Sequence, residues 1–347
     1  MTEGDGKRRQ SELRTVLAGV VVAVLLVGAL FATIGSLNRD VYSAGGFVRQ
    51  YLDALARQDT EGAMTLPGVK LTDAQLEAAG LPQDLPSTLL RASVLGTLDD
   101  IRLKSDTESA SGIHTVVYEF KLGGDTTKME FTVAHTGTFA GVFDSWRFSK
   151  SPLAVLQVTV LNQATFTVNG LTLDTRAHAG TDAPATFSNR AAYLAFAPAL
   201  YSFEHTSTLL TAAKTKIPVT ISGATDVTVD ALPNDVFINQ VQTELNRFLD
   251  TCTTQQVLKP SGCPFGIDIN DRVRGLPIWS IAEYPPVSLG VGEVGFEMLD
   301  TVGQAHIVVE VQSLFDGEMT TRDENVEFVI GLSVAIQSNG ALAIQLH

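Results

Sequence analysis

The pattern of apolar and polar positions changes character near residue 39. From Thr15 to Asn38 the chain reads TVLAGVVVAVLLVGALFATIGSLN, 24 residues without one charge. At ~1.5 Å rise per residue such a helix is longer than a ~30 Å hydrocarbon core, so the pattern predicts a transmembrane helix over 15–38. Beyond it the apolar residues return at globular spacings. Val48, Tyr51, Leu52 and Leu55 fall at i, i+3, i+4 and i+7, the face of an amphipathic helix that Leu66-Pro67-Gly68 terminates. Residues 71–95 read as one or two short helices split by Pro82 and Pro86. Strand alternation follows, with Val116, Tyr118, Phe120 and Leu122 on one face, a turn at Gly123-Gly124-Asp125, then Met129, Phe131 and Val133, then Val142 to Phe148. A helix packed on a curved antiparallel sheet buries these faces and defines an α+β module over 40–151.

Ser151-Pro152 opens a different stretch, 153–231, rich in Val, Thr and Ala. Phe166 to Leu173 reads as a hairpin with Asn169-Gly170 in a type I′ turn. Tyr193–Tyr201, Ile217–Ile221 and Val227–Val229 are further strand candidates, and together they predict a small all-β sandwich. The last module, 233–347, begins with a helix start at Leu232-Pro233-Asn234-Asp235 and an apolar stripe of Phe237, Val241, Leu245 and Phe248 beside Leu249. After Trp279 strands are expected around Val294/Phe296/Met298, Ile307/Val309/Val311, Phe328/Ile330/Leu332/Val334 and Leu342/Ile344/Leu346. The order helix, polar stretch, alternating strands thus occurs twice. Tyr51-Leu52-Asp53 and Phe248-Leu249-Asp250 occupy matching places near the ends of their helices, which points to an internal repeat. The fold class predicted is α+β: an N-terminal transmembrane helix and two α+β modules separated by the sandwich.

The apolar run exceeds the ~7–15 residues of a signal-peptide core, and the nearest cleavage-like sequence is Tyr42-Ser43-Ala44-Gly45, so a retained signal anchor is expected. No Cys lies near its end, which excludes a lipoprotein anchor. Lys7, Arg8, Arg9 and Arg14 precede the span and only Arg39, beside Asp40, follows closely. The positive-inside rule therefore puts a disordered tail, 1–14, in the cytoplasm and the body outside. Gly19, Gly28 and Gly35 are too far apart for a close helix–helix seam, so the span reads as a passive tether.

Charge narrows the partners. The whole chain has 24 Lys+Arg against 38 Asp+Glu; the tail takes four basic and three acidic residues, leaving the body at 20 against 35, a net of −15. Nucleic-acid binding is disfavoured, because it rests on cations neutralising phosphates, and so is electrostatic attachment to anionic lipid. The acidity serves solubility, with a basic partner or loosely held cations as lesser alternatives. The two cysteines, Cys252 and Cys263, lie close together in the body. In an oxidising compartment they predict one disulfide, worth roughly 3 kcal/mol in the chain-entropy treatment. No His or second cysteine pair stands near to make a metal site.

A helix followed by a strongly curved antiparallel sheet resembles the cystatin-like cone of the nuclear transport factor 2-like superfamily. In whole layout the chain is similar to the teicoplanin-resistance-associated membrane protein family, which combines a membrane helix, cone-like modules and small β domains. The residues that carry the resemblance are Trp146-Arg147-Phe148-Ser149-Lys150-Ser151-Pro152-Leu153, Val168-Asn169-Gly170 and Phe196-Ala197-Pro198-Ala199-Leu200-Tyr201. The last is similar to a Phe-Pro-Gly-x-Tyr pattern, but Ala197 intervenes and Ala199 replaces the glycine; the zinc ribbon frequent in that family is missing. The resemblance implies a binding or scaffolding role in the cell envelope.

No chemical motif stands out. His114, His135, His178, His205, His306 and His347 are scattered, none at the i, i+4 spacing of a zinc helix, and there is no nucleophile elbow or phosphate-binding glycine loop. Asp268-Ile269-Asn270-Asp271 lacks the closing Glu of a calcium loop and reads as a turn; Asp99-Asp100 likewise. Tyr118 and Glu119, adjacent in a strand, point to opposite faces and cannot form a proton-transfer pair. The expectation is a non-catalytic, cofactor-free binding or scaffold protein that engages an envelope protein or a cell-wall polymer. The alternative is a small-molecule-binding protein or enzyme with an open pocket inside a cone, and a pocket filled by the module's own Phe, Trp and Leu would count against it.

Overall fold

The computed structural model describes residues 5–78, 80–81, 84–177, 187–337 and 339–347. The protein is α+β, a sheet-rich body carrying one N-terminal apolar helix. That helix, α1, runs Asp5–Asp40. Its part Val20–Asp40 has a mean hydropathy of 2.6 with none of it buried, consistent with a single-pass anchor. Apart from its last turn this apolar helix has no protein surface against it, as a membrane-spanning helix would. The helix also takes in residues 5–14, where the sequence alone suggested a disordered tail. Arg, Lys, Glu, Gln and Leu in that stretch have good helix propensity and need only propagate an existing helix.

After a short break the first α+β unit begins. Helix α2 (Ala44–Ala56) is capped by Ser43, whose hydroxyl accepts from the Gly46 amide, and buries Phe47, Val48, Tyr51, Leu52 and Leu55. Two short helices follow, α3 (Thr60–Thr65) and α4 (Asp73–Ala78), then a 3-10 turn at Ala92–Val94. Of the predicted 71–95 helices only α4 is α-helical, and Pro82 lies outside the described residues. Strands β1 (Leu98–Glu108), β2 (Ile113–Leu122), β3 (Asp125–Phe139) and β4 (Phe143–Phe148) form an antiparallel meander in chain order. β1 corrects the sequence reading of Asp99-Asp100 as a turn. The two residues lie inside the strand at a bulge, with Asp100 at φ 54°. β1 is an edge strand and almost wholly exposed, so it has no apolar alternation to betray it; its charges protect the edge from further pairing.

The middle region, β5 to β12, is a sandwich of two sheets. β5 (Ala154–Leu161) lies between β8 (Ser188–Ala195) and, in parallel, β11 (Gly223–Asp230). The facing sheet runs β12 (Leu232–Pro233), β10 (Leu210–Val219), β9 (Ala199–Thr206), β6 (Thr165–Val168), β7 (Leu171–Asp174). The predicted β6–β7 hairpin is present, with Asn169 and Gly170 at φ 46° and 85°, as a type I′ turn requires. The single strand expected over Tyr193–Tyr201 is two strands. Pro198, joined to Ala197 by a cis peptide, stands in the turn between β8 and β9 and cannot donate to a ladder.

The second α+β unit starts with helix α5 (Asp235–Thr253), capped by Asn234 accepting from the Phe237 amide. Its sheet consists of two long strands, β16 (Phe296–Gln312) and β17 (Met319–Ile336), with β18 (Leu342–Leu346) beyond β17. Three short pieces, β13 (Arg272–Val273), β14 (Ile278–Glu283) and β15 (Gly290–Val291), pair along the outer edge of β16. The two strands expected near Met298 and Ile307 are therefore one, bent by a bulge between Met298 and Thr301. Val294 is outside it. A curled half-barrel sheet is part of the body, and such bulges are where long strands turn.

Two clusters of buried side chains hold the body together. One runs without a gap from Ala44 through the first sheet and both layers of the sandwich to Val229. The other gathers α5, the second sheet and the sandwich residues Leu209, Leu210 and Ala231.

Candidate functional site

The inner faces of the two helix-covered sheets are the first places to look for a site, and both are packed with side chains. In the first unit Tyr51 sits among Phe131 and Phe148, with Phe47 on Phe148 at 4.9 Å between ring centroids. Its hydroxyl donates to the Ala197 carbonyl at 2.9 Å, and the Tyr118 hydroxyl donates to the Gly45 carbonyl at 2.9 Å. Burial raises the pKa of Tyr51 well above its ordinary value and pushes Tyr118 up to about 12, so both remain neutral donors. Glu119 points away from them, to the outer face, where Lys104 and Lys128 flank it; the hydrogen bond from Lys104 holds its pKa down. Tyr118 and Glu119 are thus separated by the sheet, as strand alternation dictates.

In the second unit Phe237 packs on Phe296, and Phe265 packs on both Trp279 and Phe328. Phe265 comes from the loop that follows α5. Cys252 at the end of α5 is joined to Cys263 in that loop, with an S–S distance of 2.02 Å, and Trp279 Nε1 donates to the Val257 carbonyl at 2.8 Å. The disulfide and the indole therefore clamp the loop across the core. In the same loop Asp268 is paired with Lys259 at 2.8 Å, and Asp271 accepts from the Leu314 amide.

Among the described histidines only His114 and His135 come near one another, around one indole, and the rest are apart. His114 and His135 flank the indole of Trp146 edge-on, at 4.8 and 5.3 Å, and are tied outward to Asp106 and Asp144 respectively. His205 is buried in the sandwich with Nδ1 against the Thr165 carbonyl, and lost hydration lowers its pKa. His306 meets Asn325 and Asp323, His347 lies over Gly331, and His178 lies outside the described residues. Among the described residues no group of three His, Cys, Asp or Glu side chains is placed to hold a metal ion.

Within the second unit an open cleft of about 360 Å³ lies between α5 and β18, lined by Leu245, Phe248, Thr251, Ile344 and Leu346; the larger clefts lie between units. A cleft of about 1200 Å³ separates the sandwich from the second α+β unit. Asn162, Arg176 and Asp230 line the sandwich side, and Val294, Phe296 and Gln337 the other. The Asn162 amide donates to the Asp230 carboxylate and the Ala231 carbonyl, which fixes the floor of the cleft. A smaller cleft of about 470 Å³ between the first sheet and the sandwich is lined by Lys128, Glu130, Lys150 and Ile221. The larger cleft combines the amides of Asn162, Gln163, Asn189 and Gln337 with Arg176, Asp230 and Glu293; the smaller has two lysines, one glutamate, hydroxyls and apolar groups. They suit hydrogen bonding to an extended partner and hold no converging nucleophile, base or paired carboxylates. Neither was visible in the sequence, because their linings come from segments over 100 residues apart. No protein-family model matches the sequence, and no curated protein matches it.

Proposed function

We propose that the protein is a membrane-anchored extracytoplasmic binding or scaffold protein of the bacterial cell envelope, without catalytic activity of its own. α1 is the signal anchor, residues 1–14 face the cytoplasm and the body stands outside. On this reading 40–151 and 233–347 are cone-like modules of the nuclear transport factor 2-like kind, and 153–231 is the β-sandwich between them. The observation that carries the proposal is the filling of both sheet interiors by the units' own aromatic side chains, while the largest cleft, of about 1200 Å³, lies between units. Aromatic filling of this kind counts against the alternative of a carrier or enzyme with a pocket deep inside a sheet, and the cleft within the second unit is open and only about 360 Å³. A cleft lined by amides and apolar groups suits a glycan strand of the wall or an extended segment of an envelope protein.

The test uses the full chain in intact cells. A photo-cross-linking amino acid replaces Val294, which is almost fully exposed at the cleft, and binding to isolated wall polymer is measured by sedimentation. Adducts with wall material or with one defined envelope protein support the proposal. No adduct and no sedimentation would sink it. Protease added to intact cells checks placement, since protection of the body would reverse the orientation.

A further inference from the structure

The junction between α1 and the first sheet carries a contact that periodicity does not announce. β3 pairs with β2 only as far as Ala134, and from there its residues pair with β4 alone. The β3–β4 hairpin therefore projects ~15 Å past the end of its neighbour, at ~3.3 Å per residue. Its tip, Thr138-Phe139-Ala140-Gly141-Val142-Phe143, has no charge. Phe139 is 64% and Val142 39% exposed.

This tip folds against the end of α1. Asn38 Nδ2 donates to the Val142 carbonyl at 2.7 Å. Tyr42 stacks on Phe143 at 4.4 Å, and Trp146 Nε1 donates to the Tyr42 carbonyl at 2.6 Å. Asn38 is also the residue that closes the uncharged stretch. Where α1 crosses a bilayer, the hairpin tip is therefore held at the depth of the last helical turn, the boundary between acyl chains and headgroups. Leu37 and Val41, exposed beside it, continue the apolar surface from the helix to the hairpin. Aromatic side chains are at home in this layer. The body is strongly acidic, so an uncharged, aromatic tip is the kind of contact it can make with lipid without repulsion.

We propose that the β3–β4 hairpin is a second membrane contact. Phe139 and Val142 enter the lipid interface beside α1 and hold the body against the bilayer at a fixed tilt. The proposal rests on the reading of α1 as a membrane span, and the test separates the two.

The full chain is reconstituted into phosphatidylcholine vesicles that carry nitroxide lipids labelled either in the acyl chain or at the headgroup. Both native cysteines are in the disulfide, so one introduced cysteine takes a thiol-reactive fluorophore. Three variants are compared: Leu30→Cys in the middle of α1, Phe139→Cys at the tip, and Asp125→Cys at the opposite end of β3. The expected result is acyl-chain quenching at 30, and headgroup quenching at 139 about twofold or more above that at 125. Quenching at 30 with none at 139 overturns the hairpin contact and leaves the span standing. Equal quenching at 139 and 125 also overturns it, because the sheet would then lie flat on the bilayer. Absence of quenching at 30 overturns the span itself, and the hairpin proposal with it.

Discussion

The two α+β units place a helix on an antiparallel meander in the same order, yet they are stabilised differently. The first shares its core. Its buried cluster continues into the sandwich up to Val229, the Tyr51 hydroxyl reaches Ala197 across the border, and the Asn169 amide of the β6–β7 turn donates to the Val94 carbonyl. The second keeps its own cluster, takes only the rim of the sandwich into it, and adds a disulfide-pinned loop whose Phe265 closes the core. A shared core predicts that the first unit and the sandwich unfold as one cooperative body. A stapled core that borrows only Leu209, Leu210 and Ala231 from the sandwich is expected to let the second unit unfold separately. The change of sheet at 151–153 is thus not a break in the core.

The strongest way to break this comparison is to open a cavity in the shared core. Phe148 is 3% exposed and touches the rings of Phe47, Tyr51 and Phe131. Phe148→Ala is expected to cost about 3–5 kcal/mol. Hydrogen exchange should rise in β5, β8 and β9 as well as in β1–β4, with β16 and β17 unchanged. Loss of protection confined to β1–β4 would show that the first unit and the sandwich fold independently. The counterpart acts on the second unit alone. Cys252→Ala with Cys263→Ala removes a closed loop of 11 residues' separation and is expected to cost about 3 kcal/mol. Proteolysis should then begin within 254–271, and denaturant unfolding of the first body should stay where it was.

How much of this was legible in the sequence follows from how each feature is encoded. The span, the α2 and α5 faces, the Asn169-Gly170 hairpin and the cysteine pair are local patterns and could be read directly. β1 could not, because six of its eleven residues are charged and its side chains are exposed almost throughout. The polar half of β17, Met319 to Asn325, was hidden for the same reason: its side chains are exposed although its backbone pairs with β16. Tyr193–Tyr201 misled because apolar residues run straight through a turn, and only Pro198 marks it. The inter-unit cleft and the Asn38–Val142 contact depend on which distant segments meet, and no local pattern records that.

A smaller effect sharpens where the shared border lies. Tyr51→Phe leaves the buried Ala197 carbonyl without its donor and is expected to cost about 1–2 kcal/mol. Tyr118→Phe removes a bond of equal length that stays inside the first unit. Both should lower the unfolding midpoint similarly, but only Tyr51→Phe should raise hydrogen exchange at the β8–β9 turn. If the two variants give the same exchange pattern, the Tyr51 bond does not couple the unit to the sandwich.

The smallest effect is a pH dependence near neutrality that comes from one buried imidazole in the first body. His205 is buried in the sandwich, and lost hydration lowers its pKa despite the bond to the Thr165 carbonyl. In the unfolded chain a histidine titrates near ~6.5. As pH falls through that value the unfolded state takes up a proton that the folded state refuses, so stability falls with it; above it both states are neutral and the contribution is complete. Denaturant unfolding of the first body should therefore weaken between about pH 7 and the carboxylate range near ~4. His205→Gln should flatten that slope while leaving the unfolding of the second unit unaltered at every pH. A slope that survives the substitution would assign the proton to another group, and the sandwich would no longer be distinguished from the second unit by this buried imidazole.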